Sequence, residues 1–483
     1  MITVPYSPMS LDYDLVIIGN TPEAFFAASE AIKLKTRVAL VLGTTPNHYS
    51  LETESLILNY FTFLHGHWHN FNQWHLNLDS VSPLNYTHLK QWKDAVKQDI
   101  QALTNQEKLA NLGVDIIEES GEFCRLPKLG FVLKNRTLRS RRYLLATPSI
   151  TIIPPIPGLA EVGYLIPETL NIDQLPETIV IVSQTALGVE LAQALNRLGK
   201  KITLIVEASN ILLQEDKDIV QLIQAILEAE GIQLFINCPI TQVRKLEGKK
   251  WIQAGNKALE TDEIIMMNQR KLNIKGLNLE GVKVEIENNK IKTNHKLQTT
   301  NPNIYACGRA MGQYNLSNMA QYEGTIAVKN TIFYPIFKVN YDHCPVRMLI
   351  DPIFSRVGLT ETQAKQEYEN DLIIIKKNYK SLVKATNLDE TTGFCKLITR
   401  RNGLILGCHI IGNNSDEIIN IVALAMKNKI KIQKIEKLFP PYGTISEILF
   451  QIAQQWHEQK NKQNQLLNNC LETLLFWRRK WIK

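Results

Sequence analysis

The sequence predicts an α/β chain with two βαβ units followed by a strand-rich α+β block, and three observations carry that prediction. The stretch "DLVIIGNTPEAFFAASEAIKLKTRVALVL" from Asp14 reads strand, turn, helix, strand. The same order returns from Thr178 as "TIVIVS", "ALGVELAQALNRLG" and "KITLIVE". Beyond Val339, apolar alternation in "DPIFSRVGLTE" and "GFCKLITRRNGLILGCHIIG" leads into the helical run "SDEIINIVALAMKNKI".

Bulk properties bound the possibilities. A chain of 483 residues is too long for one core, so several domains are expected. Its 45% hydrophobic and 21% charged content is that of a globular protein, with no run near the ~18 apolar residues of a membrane span. The opening "MITVPYSPMSLDYD" lacks a basic region followed by an apolar core, so no signal peptide and a cytoplasmic location are expected. A net charge of +7 is mild for this length and does not point to nucleic acid. The seven cysteines, at 124, 238, 307, 344, 395, 408 and 470, form no C-x-x-C and read as reduced, buried small hydrophobes.

The first turn is Gly-Asn-Thr-Pro-Glu-Ala. A phosphate-cradling turn reads G-x-G-x-x-G, the glycines giving the tight turn, the close backbone approach and the helix packing. Only Gly19 fits that pattern. The Thr21 side chain should hold the backbone away from a diphosphate, and Pro22 removes an N–H donor. In the segment between the two units, Pro154, Pro155 and Pro157 impose an extended connection. The second turn carries Ser183 and Thr185 at the first two glycine positions and keeps Gly188.

Six of the ten histidines fall between 48 and 88. His65, His67 and His69 have metal-capable spacing, but Trp68, Phe71 and Trp74 beside them indicate a packed aromatic helix, so no metal site is predicted. From Lys460 the chain reads as a tail closing in a basic amphipathic helix, "LETLLFWRRKWIK". Such a helix suits a protein partner's groove, an anionic membrane surface, or docking on its own protein.

Five segments in one order, "IPPIPGLAEVGYL", "LGVELAQALNRLGKKITLIVE", "TTNPNIYACGR", "MAQYEGTIAVKN" and "DPIFSRVGLTE", give the chain a family likeness. It resembles the pyridine nucleotide-disulfide oxidoreductases, flavoenzymes that include dihydrolipoamide dehydrogenase, glutathione reductase and mercuric reductase, from about Tyr13 to about Trp456. The resemblance implies two Rossmann-like FAD/NAD(P)-binding domains plus an α+β C-terminal dimerisation domain, and a homodimer. On that scheme residues 1–176 and 300–338 form the FAD-type domain, 177–299 the NAD(P)-type domain, 339–459 the dimerisation domain and 460–483 the tail. It also implies that hydride passes from NAD(P)H to FAD, then to a cysteine disulfide, then to substrate.

The resemblance assigns cofactor positions to Gly19, Thr147, Gly188, Glu190, Glu207, Gly308 and Arg309, and acid/base positions to Tyr442 and Glu447. Several of these depart from the family pattern. Leu42 stands where an acid would bind the ribose, Pro148 closes an A-T-G motif, and Gln269 replaces the glycine of a later one. Arg309 replaces the Asp that accepts from the flavin's ribityl chain, exchanging an acceptor for a bulky donor. Tyr442 takes the place of the family's His, and with an ordinary pKa of about 10 it is a poor base near neutrality. The family's two redox cysteines would follow the second strand, yet no cysteine precedes Cys124.

These departures predict a pseudoenzyme that keeps the fold, has lost disulfide chemistry and ordinary FAD binding, and serves a binding or scaffolding role. The alternative is an FAD-dependent NAD(P)H oxidoreductase passing electrons directly from flavin to a small acceptor, with Glu190, Glu207 and Tyr442 as its working residues.

Overall fold

The computed structural model describes residues 11–43, 91–92, 94–96, 98–99, 106–126, 128–267, 270–312, 317–462 and 465–480. The chain divides into two compact units, residues 1–183 with 240–339 and residues 184–239 with 340–483. The expected 177–299 segment is shared between the two units.

The first unit centres on a five-stranded parallel sheet in the order Ile304–Ala306, Ser140–Leu145, Tyr13–Ile18, Val38–Val41, Asp115–Ile117. Its strands are apolar on both faces, as a sheet covered on both sides requires. Ile18 pairs with both Val41 and Leu145, and Ala306 with Leu145, so these strands end level. Cys307, Ala146, Gly19 and Leu42 therefore follow one another across a single carboxyl edge, where open α/β sheets present ligand crevices.

The helix Pro22–Lys33 buries Ala24, Ala27, Ala28 and Ala31, an i, i+3, i+4, i+7 stripe of small residues that lets it lie close on the sheet. The helix Ser317–Ile332 packs against it, with Gly324 facing Phe26 and Ala27. Phe123 meets Phe131 and Tyr143 edge-on at 5.1 and 5.4 Å, joining a small antiparallel sheet to this core. The unit also holds the strand Thr178–Val182, paired parallel with Glu263–Met266, and an antiparallel sheet of Ile240–Leu246, Lys249–Ala254 and Lys257–Thr261.

In the second unit the helix Ala186–Arg197 leads to Lys201–Val206, which pairs parallel with Gln233–Ile236. A five-stranded antiparallel sheet follows, ordered Val346–Met348, Phe354–Gly358, Ile405–Ile411, Phe394–Arg400, Leu372–Asn378. The helices Ser415–Lys427 and Glu447–Lys462 cover it. Trp456 is fully buried there and donates its indole N–H to Thr399 Oγ1 at 2.9 Å. This is the strand-rich α+β block that the apolar alternation predicts.

A charged cluster lies within this unit. Lys396, only 2% exposed, places Nζ 2.8 Å from Asp216, 2.6 Å from Asp218 and 3.3 Å from Glu361. Burial alone would lower the lysine's pKa, but Asp216 and Asp218 outweigh it and the net shift is upward. Arg356 pairs with Glu215 at 2.8 Å, and His409 is fully buried close by with Nε2 3.0 Å from Leu359 O.

Candidate functional site

The carboxyl edge of the parallel sheet gathers four of the residues singled out from sequence. Gly19 has φ +147°, and a Cβ there would stand 1.9 Å from Ala146 O and 3.0 Å from Thr147 N. Only glycine allows that approach. Thr147 is buried beside it, and its Oγ1 has no hydrogen-bond partner among the described residues. Gly308, at φ +64°, and Arg309 enter from the turn after the strand Ile304–Ala306.

The N-terminus of the helix Pro22–Lys33 is satisfied by its own side chains. Thr21 Oγ1 accepts from Ala24 N at 3.3 Å and donates to Ala146 O at 2.9 Å. This is an N-cap, which occupies one of the amides a bound anion would otherwise take. Pro22 contributes no donor. Glu23, in the first helical turn and 2% exposed, accepts from Arg309 N at 3.2 Å through Oε1. Glu323, equally buried, accepts from Gly308 N at 2.6 Å through Oε2. Two carboxylates thus hold the backbone amides of the Gly308–Arg309 turn, and negative charge at a helix N-terminus is favoured by the helix dipole. Burial, then Glu23 and Glu323, push the neighbouring Cys307 thiol well up. Leu42, at the end of its strand, is buried in the core.

Neither Glu23 nor Glu323 stands at a position to which the family resemblance assigns a role. An acid inside the glycine turn was the available signal for Glu23. Nothing local marked Glu323, whose partner is set by packing.

The second βαβ helix repeats the device. Thr185 caps Ala186–Arg197, its Oγ1 accepting from Gly188 N at 3.3 Å. Glu190, one turn further, accepts from Leu349 N at 2.8 Å. Gln193 accepts from Asp351 N at 2.8 Å and donates to Asp351 O at 2.9 Å. Arg197 reaches Asp351 Oδ2 at 2.6 Å and Glu230 Oε1 at 2.7 Å. Residues 190, 193 and 197 share one helix face, and here that face binds the 349–351 segment. Burial opposes the charge on Arg197, yet Glu230 and Asp351 raise its pKa. Glu207, following the strand Lys201–Val206, is half-buried, and its carboxylate has no partner among the described residues.

Tyr442 is 82% exposed. Glu447 opens the helix Glu447–Lys462 and turns Oε1 back to accept from Gly443 N and from Thr444 N at 3.1 Å. Its carboxylate braces the loop that carries Tyr442. The structure therefore brings Gly19, Thr147, Gly308 and Arg309 together, while Gly188, Glu190, Glu207, Tyr442 and Glu447 belong to the other unit.

Among the described residues no group of three His, Cys, Asp or Glu side chains is placed to hold a metal, and no helix is long and apolar enough to cross a membrane. The histidine-rich stretch 48–88, the segment after the second strand where redox cysteines would stand, and Gln269 lie outside the described residues.

Comparison with known proteins gives a consistent likeness. Residues 13–324 match the family described as pyridine nucleotide-disulphide oxidoreductase, and residues 344–452 match that family's dimerisation domain. A mercuric reductase of Bacillus cereus is 28% identical over 469 residues, covering 90% of this chain and 70% of its own length. A dihydrolipoyl dehydrogenase of Bacillus subtilis (strain 168) is 28% identical over 472 residues, covering 92% of this chain and 98% of its own. In fold, the Cu(II) complex of the HOCl-induced flavoprotein disulfide reductase RclA from Escherichia coli superposes with a TM-score of 0.78 at 22% identity, over 92% of this chain and all of that one.

Proposed function

We propose, from the premise that this chain belongs to the pyridine nucleotide-disulphide oxidoreductase family, that it is a cytoplasmic homodimer that keeps the family fold but neither reduces disulfides nor holds FAD in the family's manner. It serves instead as a binding or scaffolding protein. The observation that carries this reading is the buried Glu23 carboxylate at the helix N-terminus, bound to Arg309 N. A dinucleotide's diphosphate needs free amide donors and close backbone approach there. This edge offers a Thr21 side chain, a proline, a carboxylate and, at the strand end, Leu42. Those residues do not fit a diphosphate, because like charges would be buried together with a donor already spent.

The absence of any cysteine before Cys124 supports the loss of disulfide chemistry. Without a thiol pair ahead of that point, the family's electron relay has no acceptor there.

The other reading, an FAD-dependent NAD(P)H oxidoreductase acting on a small acceptor, is favoured by the buried Thr147 Oγ1, which has no partner among the described residues and which a bound group would satisfy. The visible absorption spectrum of the freshly purified chain, with released flavin counted per chain, separates the two. A colourless protein that takes up no added FAD is expected. About one flavin per chain, with NAD(P)H oxidation, would overturn the scaffold reading.

A further inference from the structure

The C-terminal helix Gln465–Lys480 exposes what a free surface rarely exposes. Leu474, Leu475, Phe476 and Trp477 are consecutive and all open to solvent, the tryptophan 60% so. Arg478, Arg479 and Lys480 follow directly, equally exposed. Lys480 Nζ sits 4.7 Å from the Phe476 ring centre, one helical turn away, so cation and aromatic share one surface. Among residues 471–483 the sequence has one acid, Glu472, against Arg478, Arg479, Lys480 and Lys483. The preceding helix, Glu447–Lys462, is anchored in the core by Ile448, Leu449, Ile452 and Trp456.

From this arrangement we infer that the helix Gln465–Lys480 is a docking surface for an anionic lipid bilayer. The inference names a partner for the binding role proposed above and rests on that reading only for the role. A helix of 16 residues is about 24 Å long, short of the ~30 Å hydrocarbon core, and it ends in three cations, so it lies in the interface rather than spanning it. Aromatic and leucine side chains enter the headgroup boundary while the arginines and lysine meet phosphate. A second copy of this chain fits less well as the occupant. Packed helix against helix it would bring two Arg478–Lys480 clusters together, so like charges would face each other at this surface, whereas anionic headgroups complement them.

The test uses the full-length chain, sedimented with vesicles of phosphatidylcholine alone or with about one-third phosphatidylglycerol, whatever its flavin content. Partition onto the anionic vesicles at least ~10-fold stronger than onto neutral ones, weakening as salt rises, is the expected result. Arg478→Glu/Arg479→Glu should remove the preference for phosphatidylglycerol, and Phe476→Ala/Trp477→Ala should weaken binding about 10-fold. Both pairs are exposed, so each variant should unfold thermally at the wild-type midpoint. Equal or absent binding to the two vesicle types would overturn the inference. So would wild-type partition in both variants, including the case where they change only the oligomeric mass by light scattering, which would give the helix to a second copy. A colourless protein that fails to sediment would sink this inference and leave the scaffold reading standing.

Discussion

Glu23 Oε1 accepts the backbone N–H of Arg309 at 3.2 Å, joining the first turn of the first helix to a turn 286 residues further along the chain. The contact ties the N-terminus of the helix Pro22–Lys33 to the turn that follows the strand Ile304–Ala306. On the scaffold reading proposed above, Arg309 is one of several altered residues at this edge rather than a single departure.

Arg309→Asp alone should therefore leave the protein without flavin. It restores the family's acceptor but places a third carboxylate in the neighbourhood of Glu23 and Glu323, and Thr21 still caps the helix. Equilibrium dialysis against FAD checks this, and stoichiometric uptake by the single variant would contradict it.

Gly308 and Glu23 should be energetically coupled. At φ +64° a Cβ on residue 308 would stand 2.5 Å from Glu23 Oε1, so Gly308→Ala meets both backbone strain and a clash. We expect it to cost about 1–3 kcal/mol. Glu23→Ala leaves Arg309 N without that acceptor and costs a similar ~1–3 kcal/mol, but it also removes the clash. The double variant should recover at least ~1 kcal/mol relative to the sum, measured as a double-mutant cycle by urea unfolding.

Lys396→Met should destabilise the second unit by about 3–5 kcal/mol, because it strips the cation from the buried Asp216 carboxylate. Lys365→Ala removes an exposed partner of Glu361 and should stay within ~0.5 kcal/mol. Comparable losses in the two variants would refute the distinction between buried and exposed pairs.

His409 should make the fold acid-sensitive. Burial lowers its pKa to about 4 from an ordinary 6.5, with Arg356 and Lys396 opposing the charge and Leu359 O and Asp216 favouring it. The unfolded chain thus binds a proton first, and stability falls as pH drops from about 6.5 to about 4. At pH 5 the loss relative to pH 7.5 should be about 2 kcal/mol. His409→Gln should flatten that part of the profile in denaturant titrations, and an unchanged slope would remove His409 as its source.

Much of the architecture was legible because it is written in periodicity. The alternation of apolar strands with helical stripes announced both βαβ units and the α+β block, and the alanine stripe from Ala24 to Ala31 is visible by spacing alone. Gly19 was legible too, since a strand running directly into a helix demands a residue that can approach its neighbour this closely. The site was less so. Thr21 was readable as an obstacle to a phosphate but not as a cap that also bonds Ala146. The family resemblance gives Glu190 a cofactor position and Glu447 an acid/base position, and in the structure each accepts from a backbone amide, of Leu349 and of Gly443 and Thr444.

By itself, then, the sequence determined the order of the elements, the absence of a thiol pair ahead of Cys124 and the loss of two of the three glycines from the first turn. These are properties of residues or of neighbours a few positions apart. Only the tertiary structure decided what fills the edge those glycines left, and which buried charges answer one another, Lys396 among its three acids and Glu23 at the amide of Arg309. A carboxylate's partner is whichever backbone or cation lies opposite once the core has packed. That choice is made by hydrophobic burial across hundreds of residues, and spacing along the chain does not encode it.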